Sequence, residues 1–235
     1  IPLGMVCLSD QLRYESIHLV EIITTIPQQL LFMTVYKWLD NFYETYNPKK
    51  VMHDVSGGPD SAIGFYIHCK YVTDNKLNTE FYTYSDYPTT MKNTILPIKL
   101  VISYMKEEFN NIVFGVNSIY ELDYNKDFMH QRRSLIEAAK RIYDIHAPHI
   151  SGVTMTPDVQ TQLDNGMDPN VYPNRLVSNP KSGRIFYNMN KKDIKNLYDE
   201  YDIMDLFPLT LSCIYDLNPC MNCWQCKERQ WAFGN

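Results

Sequence analysis

Apolar positions recur every three or four residues through TIPQQLLFMTVYKWLDNFYETYN, where Leu31, Val35, Trp38, Leu39, Phe42 and Tyr46 fall on one stripe. That spacing predicts a helix with one face on a core, Thr25 as its cap and Pro27 in its first turn. The period then changes. KKVMHDV (49–55) reads as a strand, and SAIGFYIHCKYV (61–72) returns to helical spacing. Strands are predicted again at EFYTYS (80–85) and NIVFGV (111–116), with a helix through MKNTILPIKLVISYMKEEF between them despite Pro97. RRSLIEAAKRIYDIH reads as a further helix and PHISGV as a short strand. Strands alternating with helices predict an α/β fold: a doubly wound, mainly parallel sheet with helices on both faces, its ligand at the carboxyl ends of the strands.

Two later segments leave this alternation. Residues 154–183 are rich in Pro, Asn, Asp and Gly with little periodicity, and a loop that long inside a compact domain usually serves function. KKDIKNLYDEYDIMDLF (191–207) reads as a charged surface helix before a cysteine-rich end. The chain therefore divides into an N-terminal helical extension (1–47), an α/β domain (48–190) and a C-terminal helix with a cysteine module (191–235).

Composition narrows the partners. A chain of 235 residues with 45% hydrophobic residues can bury a sizeable core, as one domain with appendages. A net charge of -5 and a pI near 5.7 argue against broad sequence-independent binding of nucleic acid, which needs a cationic surface. The most apolar early stretch is broken by Pro27, Gln28 and Gln29, and no basic segment with a small-residue cleavage site precedes it. The expectation is a soluble, cytoplasmic protein with no membrane partner.

Between the first strand and its helix stands SGGPDS, residues 56–61. Gly57 and Gly58 let backbone approach a ligand closely, and the helix that follows directs its free amides and positive dipole end into the same space. An anion should bind there. The Walker A lysine is absent, and Asp60 beside phosphate oxygens would repel them unless a divalent cation stood between. That combination suggests ATP with Mg2+. The same six residues also suit an ordinary capped turn, so they do not decide alone.

Of six cysteines, Cys213, Cys220, Cys223 and Cys226 crowd into CIYDLNPCMNCWQC. Their C-x6-C-x2-C-x2-C spacing can close tetrahedrally around one ion, and Zn2+ is the expected occupant, in a structural site. An iron–sulfur run would continue with C-x3-C-P, which is missing.

SGGPDS resembles the pyrophosphate loop of the N-type ATP pyrophosphatases, the PP-loop superfamily. Together with the closing cysteine knuckle it resembles the 7-cyano-7-deazaguanine synthase family. TLSC (210–213) resembles that family's approach to its first zinc ligand, CKERQWAF (226–233) its arginine and apolar tail, RRSLIEAA its arginine-led helix, HISGV its glycine-ended strand and KKDIKNLYDEYDI its Lys-Asp-Ile helix. The likeness covers roughly 48–235 by order of motifs. It departs at TYSDYPTTMKN, which lacks a Tyr-Gly-Gln segment, at the aspartate after Gly152, for which Asp158 is the nearest substitute, and at YPNR (172–175).

The resemblance implies an ATP-dependent carbon–nitrogen ligase. It would adenylate 7-carboxy-7-deazaguanine, a 7-deazapurine carboxylate, and convert it with ammonia first to the amide and then to the nitrile, releasing AMP and pyrophosphate. It implies Asp60, Ser61 and Arg132 as catalytic, and Ser56, Gly57, Gly58, Asp60, Ser61, Tyr84 and Lys191 as the ATP site. Asp158 would bind substrate, and the four cysteines would hold Zn2+. Substrate choice is expected in residues 154–183 and the turn after Tyr84. Free ammonia or a partner would supply nitrogen, with nucleic acid and a homodimer left open as partners. Two alternatives keep the loop but change the role: an RNA sulfurtransferase, for which Cys69 is a candidate nucleophile, and an antiphage component that modifies nucleic acid or protein.

Overall fold

The computed structural model describes residues 31, 33–88, 94–123, 127–171, 183–186, 188–213, 215 and 217–234. The expected cap Thr25, Pro27 and the YPNR segment lie outside them. A helix over residues 33–46 (α1) leads into β1 (Lys50–Asp54), α2 (Pro59–Asp74), β2 (Glu80–Pro88), α3 (Ile95–Glu108), β3 (Phe114–Leu122), α4 (Phe128–Tyr143) and β4 (Ile150–Ser151). Helices α5 (Val159–Asp164), α6 (Lys191–Glu200) and α7 (Trp224–Phe233) follow. The strands form one parallel sheet in the order β3-β2-β1-β4. Strand order therefore reverses direction between β1 and β4, and a doubly wound sheet opens a crevice at such a point.

The pleat sorts the core into two layers. Val51 and Phe81 face a cluster built with α1, α2, α3, α6 and α7, whereas Met52, Tyr82 and Tyr84 face Ile136 and Ala139 of α4. Helix α2 is buried along almost its whole length, which explains its lack of a clear polar stripe. Val35, Leu39 and Phe42 of α1 and Ala232 and Phe233 of α7 join the larger cluster, each large side chain adding ~2 kcal/mol of apolar burial. No described helix is long and apolar enough to cross a membrane.

Element ends follow local chemistry. Pro97 sits in the first turn of α3, where its missing N–H has no intrahelical partner to lose. Helix α6 opens with a capping box between Asn190 and Asp193. It stops at residue 200 rather than running to Phe207, because Asp202 turns left-handed at φ 52°. Strand β3 lies later and runs longer than NIVFGV predicted. It is an edge strand whose polar residues mask alternation, and it reaches Leu122 in register with Pro88.

One polar network is sealed inside this core. His53 Nε2 lies 2.8 Å from His68 Nδ1, and Tyr43 Oη lies 2.9 Å from His68 Nε2 and 3.3 Å from Thr79 Oγ1. Burial pushes the imidazole of His53 down to about 3 and that of His68 well below its usual value, so both are neutral near pH 7. The unfolded chain then binds more protons than the folded one once the pH falls below about 6.5, and stability is lost on acidification from there. His53 alone should remove ~2 kcal/mol between pH 7 and pH 5. Urea unfolding at the two pH values, with His68→Gln expected to reduce the difference, tests this; equal stability at both would refute it.

Candidate active site

The loop after β1 emerges at the sheet's switch point. Gly57 takes φ +77°, and a Cβ there would stand 3.0 Å from Ile98 N and Pro97 Cβ, so glycine satisfies both the turn and the close approach of α3. Gly58 precedes α2 in extended backbone and Pro59 opens the helix, with no side chain capping its first amides. The serines knit the loop: Ser56 N donates to Ser61 Oγ at 3.2 Å, the two hydroxyls are 3.0 Å apart, and Ser61 Oγ donates to Gly58 O at 3.0 Å. Opposite, Gly152 follows β4. A Cβ on it would come within 2.5 Å of Asp60 O, so this glycine lets the strand end pack against the first turn of α2.

A cavity of about 690 Å³ opens over this junction. Ser56, Gly58, Asp60 and Ser61 of the loop line it together with Arg132, Leu211, Ser212 and Cys213. Leu211 N donates to Gly57 O at 2.8 Å, which ties TLSC to the loop.

Two sets of buried charges organise the cavity. Arg132, on α4, pairs with Asp54 at the end of β1, and its Nε lies 2.8 Å from Asp86 Oδ2 at the end of β2, off the linear hydrogen-bond direction. The carboxylate of Asp54 drives the guanidinium's pKa further up, against the cost of burial. In the second set, Lys191 at the start of α6 is only 6% exposed. Its Nζ lies 3.2 Å from Asp60 Oδ2 and 3.2 Å from Glu228 Oε2 of α7. Burial opposes its charge, but the two carboxylates outweigh burial and raise its pKa. Asp60 Oδ2 also accepts from Thr154 Oγ1 at 3.0 Å, while Asp60 Oδ1 is buried and has no protein partner among the described residues. Across both sets, four carboxylates face two cations.

Of the residues singled out in the sequence, the fold brings Ser56, Gly58, Asp60, Ser61, Arg132 and Lys191 to this one cavity, with Gly57 in the loop behind them. Two others stand elsewhere. Tyr84 is fully buried and stacked on Tyr120, in the layer that packs α4 onto the sheet, and does not line the cavity. The residue of β2 that reaches the cavity is Asp86, one pleat further on the same face. Asp158 is an exposed helix cap, accepting from Thr161 N at 2.9 Å and Thr161 Oγ1 at 2.6 Å, and is likewise outside the cavity lining. Asp54 and Glu228 were not anticipated, and Asp86 and Thr154 were expected only as members of the segments assigned to substrate choice. An acid at the carboxyl end of each of two neighbouring strands was the available signal for Asp54 and Asp86.

The cysteine module adjoins the same cavity. The sulfurs of Cys213, Cys220, Cys223 and Cys226 all lie within 4.8 Å of one another. Sulfurs around one tetrahedral zinc ion stand about 3.8 Å apart, close to the 4.0 Å between Cys220 and Cys226. Cys223 N donates to Cys220 Sγ at 3.3 Å and Cys226 N to Cys223 Sγ at 3.4 Å, the amide bonds that let a thiolate knuckle carry negative charge. These four residues could hold one metal ion. The module is fastened by Arg229, which donates to Thr210 O at 3.2 Å and Phe207 O at 3.3 Å, and by Phe233 stacked on Phe207 at 4.1 Å.

No protein-family model matches this chain, and no curated protein does. Among solved structures it is similar to an NH3-dependent NAD synthetase from Campylobacter jejuni (13% identity over 77% of this chain and 76% of that one, TM-score 0.45) and to NMN synthetase from Francisella tularensis (12%, 86% and 84%, TM-score 0.45). It is also similar to the U34-tRNA thiolase NcsA from Methanococcus maripaludis (13%, 87% and 70%, TM-score 0.50). That last likeness is one of fold, and with the observed topology it establishes the α/β architecture read from the sequence: a parallel sheet, flanked by helices and followed by a cysteine cluster that could bind zinc.

Proposed function

We propose that this chain is an ATP-dependent adenylating enzyme of the PP-loop type, and that its acceptor is the carboxylate of 7-carboxy-7-deazaguanine. The observation that carries the reading is the placement of SGGPDS: a loop with uncapped helix amides, at the switch point of a parallel sheet, facing a cavity that TLSC and the start of the cysteine knuckle also line. The amides of Asp60 and Ser61, in the first turn of α2, bind the triphosphate. Asp60, whose buried Oδ1 has no protein partner among the described residues, would hold Mg2+ beside the phosphates. When bound, Mg2+ neutralises phosphate oxygens and polarises the α phosphorus. Arg132, fixed by two acids, lines the cavity rather than contributing a free positive charge.

In the reaction so read, a carboxylate oxygen attacks the α phosphorus and the bond to the β-phosphate oxygen breaks, releasing pyrophosphate. Ammonia attacks the acyl carbon, loses a proton and expels AMP to leave the amide. A second activation at the amide oxygen, with loss of both amide protons and AMP, leaves the nitrile. Cys213, Cys220, Cys223 and Cys226 hold one Zn2+ as a structural centre in this reading. Purified chain given ATP, Mg2+, ammonium and 7-carboxy-7-deazaguanine should form AMP, pyrophosphate and the nitrile, read by mass spectrometry. Nucleotide binding without acceptor-stimulated AMP formation would overturn the acceptor and leave the nucleotide site standing.

A second reading, an ATP-dependent RNA sulfurtransferase, is favoured by one observation: Cys213 lines the same cavity as the loop. The tRNA thiolase with similar fold carries a [4Fe-4S] cluster. Cys69 does not serve this reading, because it is buried in α2 and burial drives its thiol well above the usual range. Thiolated RNA formed from ATP, a sulfur donor and tRNA would select it over the ligase.

A further inference from the structure

We infer that the cysteine module regulates the nucleotide site, so that metal held by its four thiols sets how tightly the glycine loop binds nucleotide; this rests on the ATP site proposed above. The link is the segment Thr210–Cys213, which packs against the loop as a brace. Leu211 N donates to Gly57 O at 2.8 Å, and a Cβ on Gly58 would stand 3.7 Å from Leu211 O. The backbone of Leu211 therefore touches both glycines. One end of the brace is Cys213, 3% exposed, whose sulfur belongs to the thiol cluster. The other end is Thr210, where Arg229 Nη1 donates to the carbonyl at 3.2 Å and to Oγ1 at 3.0 Å. The same guanidinium lies 3.8 Å over the ring of Phe207. Arg229 sits on α7, and the start of α7 is built from the cluster: Cys223 caps the helix by accepting from Cys226 N. Both ends of the brace are thus fixed by the four cysteines.

A second link runs through side chains. Lys191 Nζ is 3.2 Å from Glu228 Oε2 of α7 and 3.2 Å from Asp60 Oδ2, in the first turn of α2. Helix α7 therefore reaches the loop twice, through the brace and through Lys191. The four cysteines are free thiols whose sulfurs lie within 4.8 Å of one another. A divalent ion holds such a set together. Without it, thiolates that close repel, and Cys213 and the start of α7 lose their common anchor. Gly57 holds φ +77°, one of many conformations open to a glycine once its carbonyl is released. A loop that the incoming nucleotide must order binds it more weakly, by roughly tenfold for about one residue of backbone. By linkage, bound nucleotide tightens the hold on the metal by the same factor.

Calorimetric titration with α,β-methylene-ATP and excess Mg2+ compares the chain loaded with Zn2+ and the chain stripped by a chelator, at a temperature where circular dichroism shows both folded. The stripped chain should bind the analogue roughly tenfold more weakly. Arg229→Gln leaves all four thiols in place; zinc-loaded and folded, it should show a similar loss, because Thr210 is released from α7. Where the stripped chain is unfolded at every temperature, this variant decides. Where Arg229→Gln does not fold, Arg229→Lys replaces it, keeping the charge without the fork and showing a smaller loss in the same direction. Leu39→Ala is the control for stability: it opens the core at α1, which gives the cavity lining no described residue, and should leave affinity unchanged. Equal affinity in loaded and stripped chains overturns the inference and leaves the ATP site standing. So does wild-type affinity in the zinc-loaded Arg229 variant, an equal loss in Leu39→Ala, or a chain that takes up no Zn2+. Zinc-loaded wild type that fails to bind the analogue overturns the ATP site itself and this inference with it.

Discussion

Asp60→Asn is expected to reduce pyrophosphate release about 100- to 1000-fold while leaving the unfolding midpoint near wild type. Asparagine keeps an acceptor for Thr154, and Lys191 keeps a charged partner in Glu228, so the buried amine is not orphaned. What is lost is the negative charge beside Oδ1, the oxygen the protein leaves unshared. The defect should therefore lie in turnover and Mg2+ dependence rather than in folding. Ser61→Ala should act differently, because its hydroxyl holds Ser56 N and Gly58 O and so shapes the loop. Nucleotide affinity should fall with turnover in that variant. Wild-type rates of pyrophosphate release in purified, folded Asp60→Asn would remove Asp60 from the site.

Cys223→Ser, or removal of metal by a chelator, is expected to lower stability by on the order of 4 kcal/mol, and to do so more than it changes the chemistry at the loop. Cys223 is buried, caps α7 through Cys226 N and shares its cluster with three other sulfurs. Without the ion those thiolates repel one another, and the start of α7 loses its anchor. The loss should spread, because α7 carries Glu228 to Lys191 and packs Phe233 against Phe207 and Tyr198. One zinc per chain by elemental analysis, with a lowered thermal midpoint on chelation, is the expected result. Iron in place of zinc would transfer the module to the sulfurtransferase reading, and unchanged stability without metal would refute a structural centre.

The elements most legible in the sequence were those with strong local periodicity. The α1 stripe, β1 and the glycine pair before α2 are dictated by residues a few positions apart, as is the thiol spacing that forms the knuckle. Strand β3 was harder to place, since a solvated edge strand need not alternate. Helix α5 was hidden inside an aperiodic segment because six residues make less than two turns.

Local pattern by itself determined that a strand, a glycine-rich turn and a helix follow one another, and that four thiols can converge, because backbone period and ligand spacing are properties of neighbouring residues. Which groups meet across the fold was decided only by the tertiary structure. Arg132 reaches Asp54 from 78 positions away. Glu228 meets Lys191 only after α6 and α7 pack together, and His53 meets His68 only after α2 lies on β1. The pleat likewise sends Tyr84 into the core and Asp86 into the cavity, although they are two residues apart on one face of β2. The period shows which face a side chain occupies. How far along the strand that face stays covered depends on where α4 ends over the sheet, and that is set by packing rather than by sequence spacing.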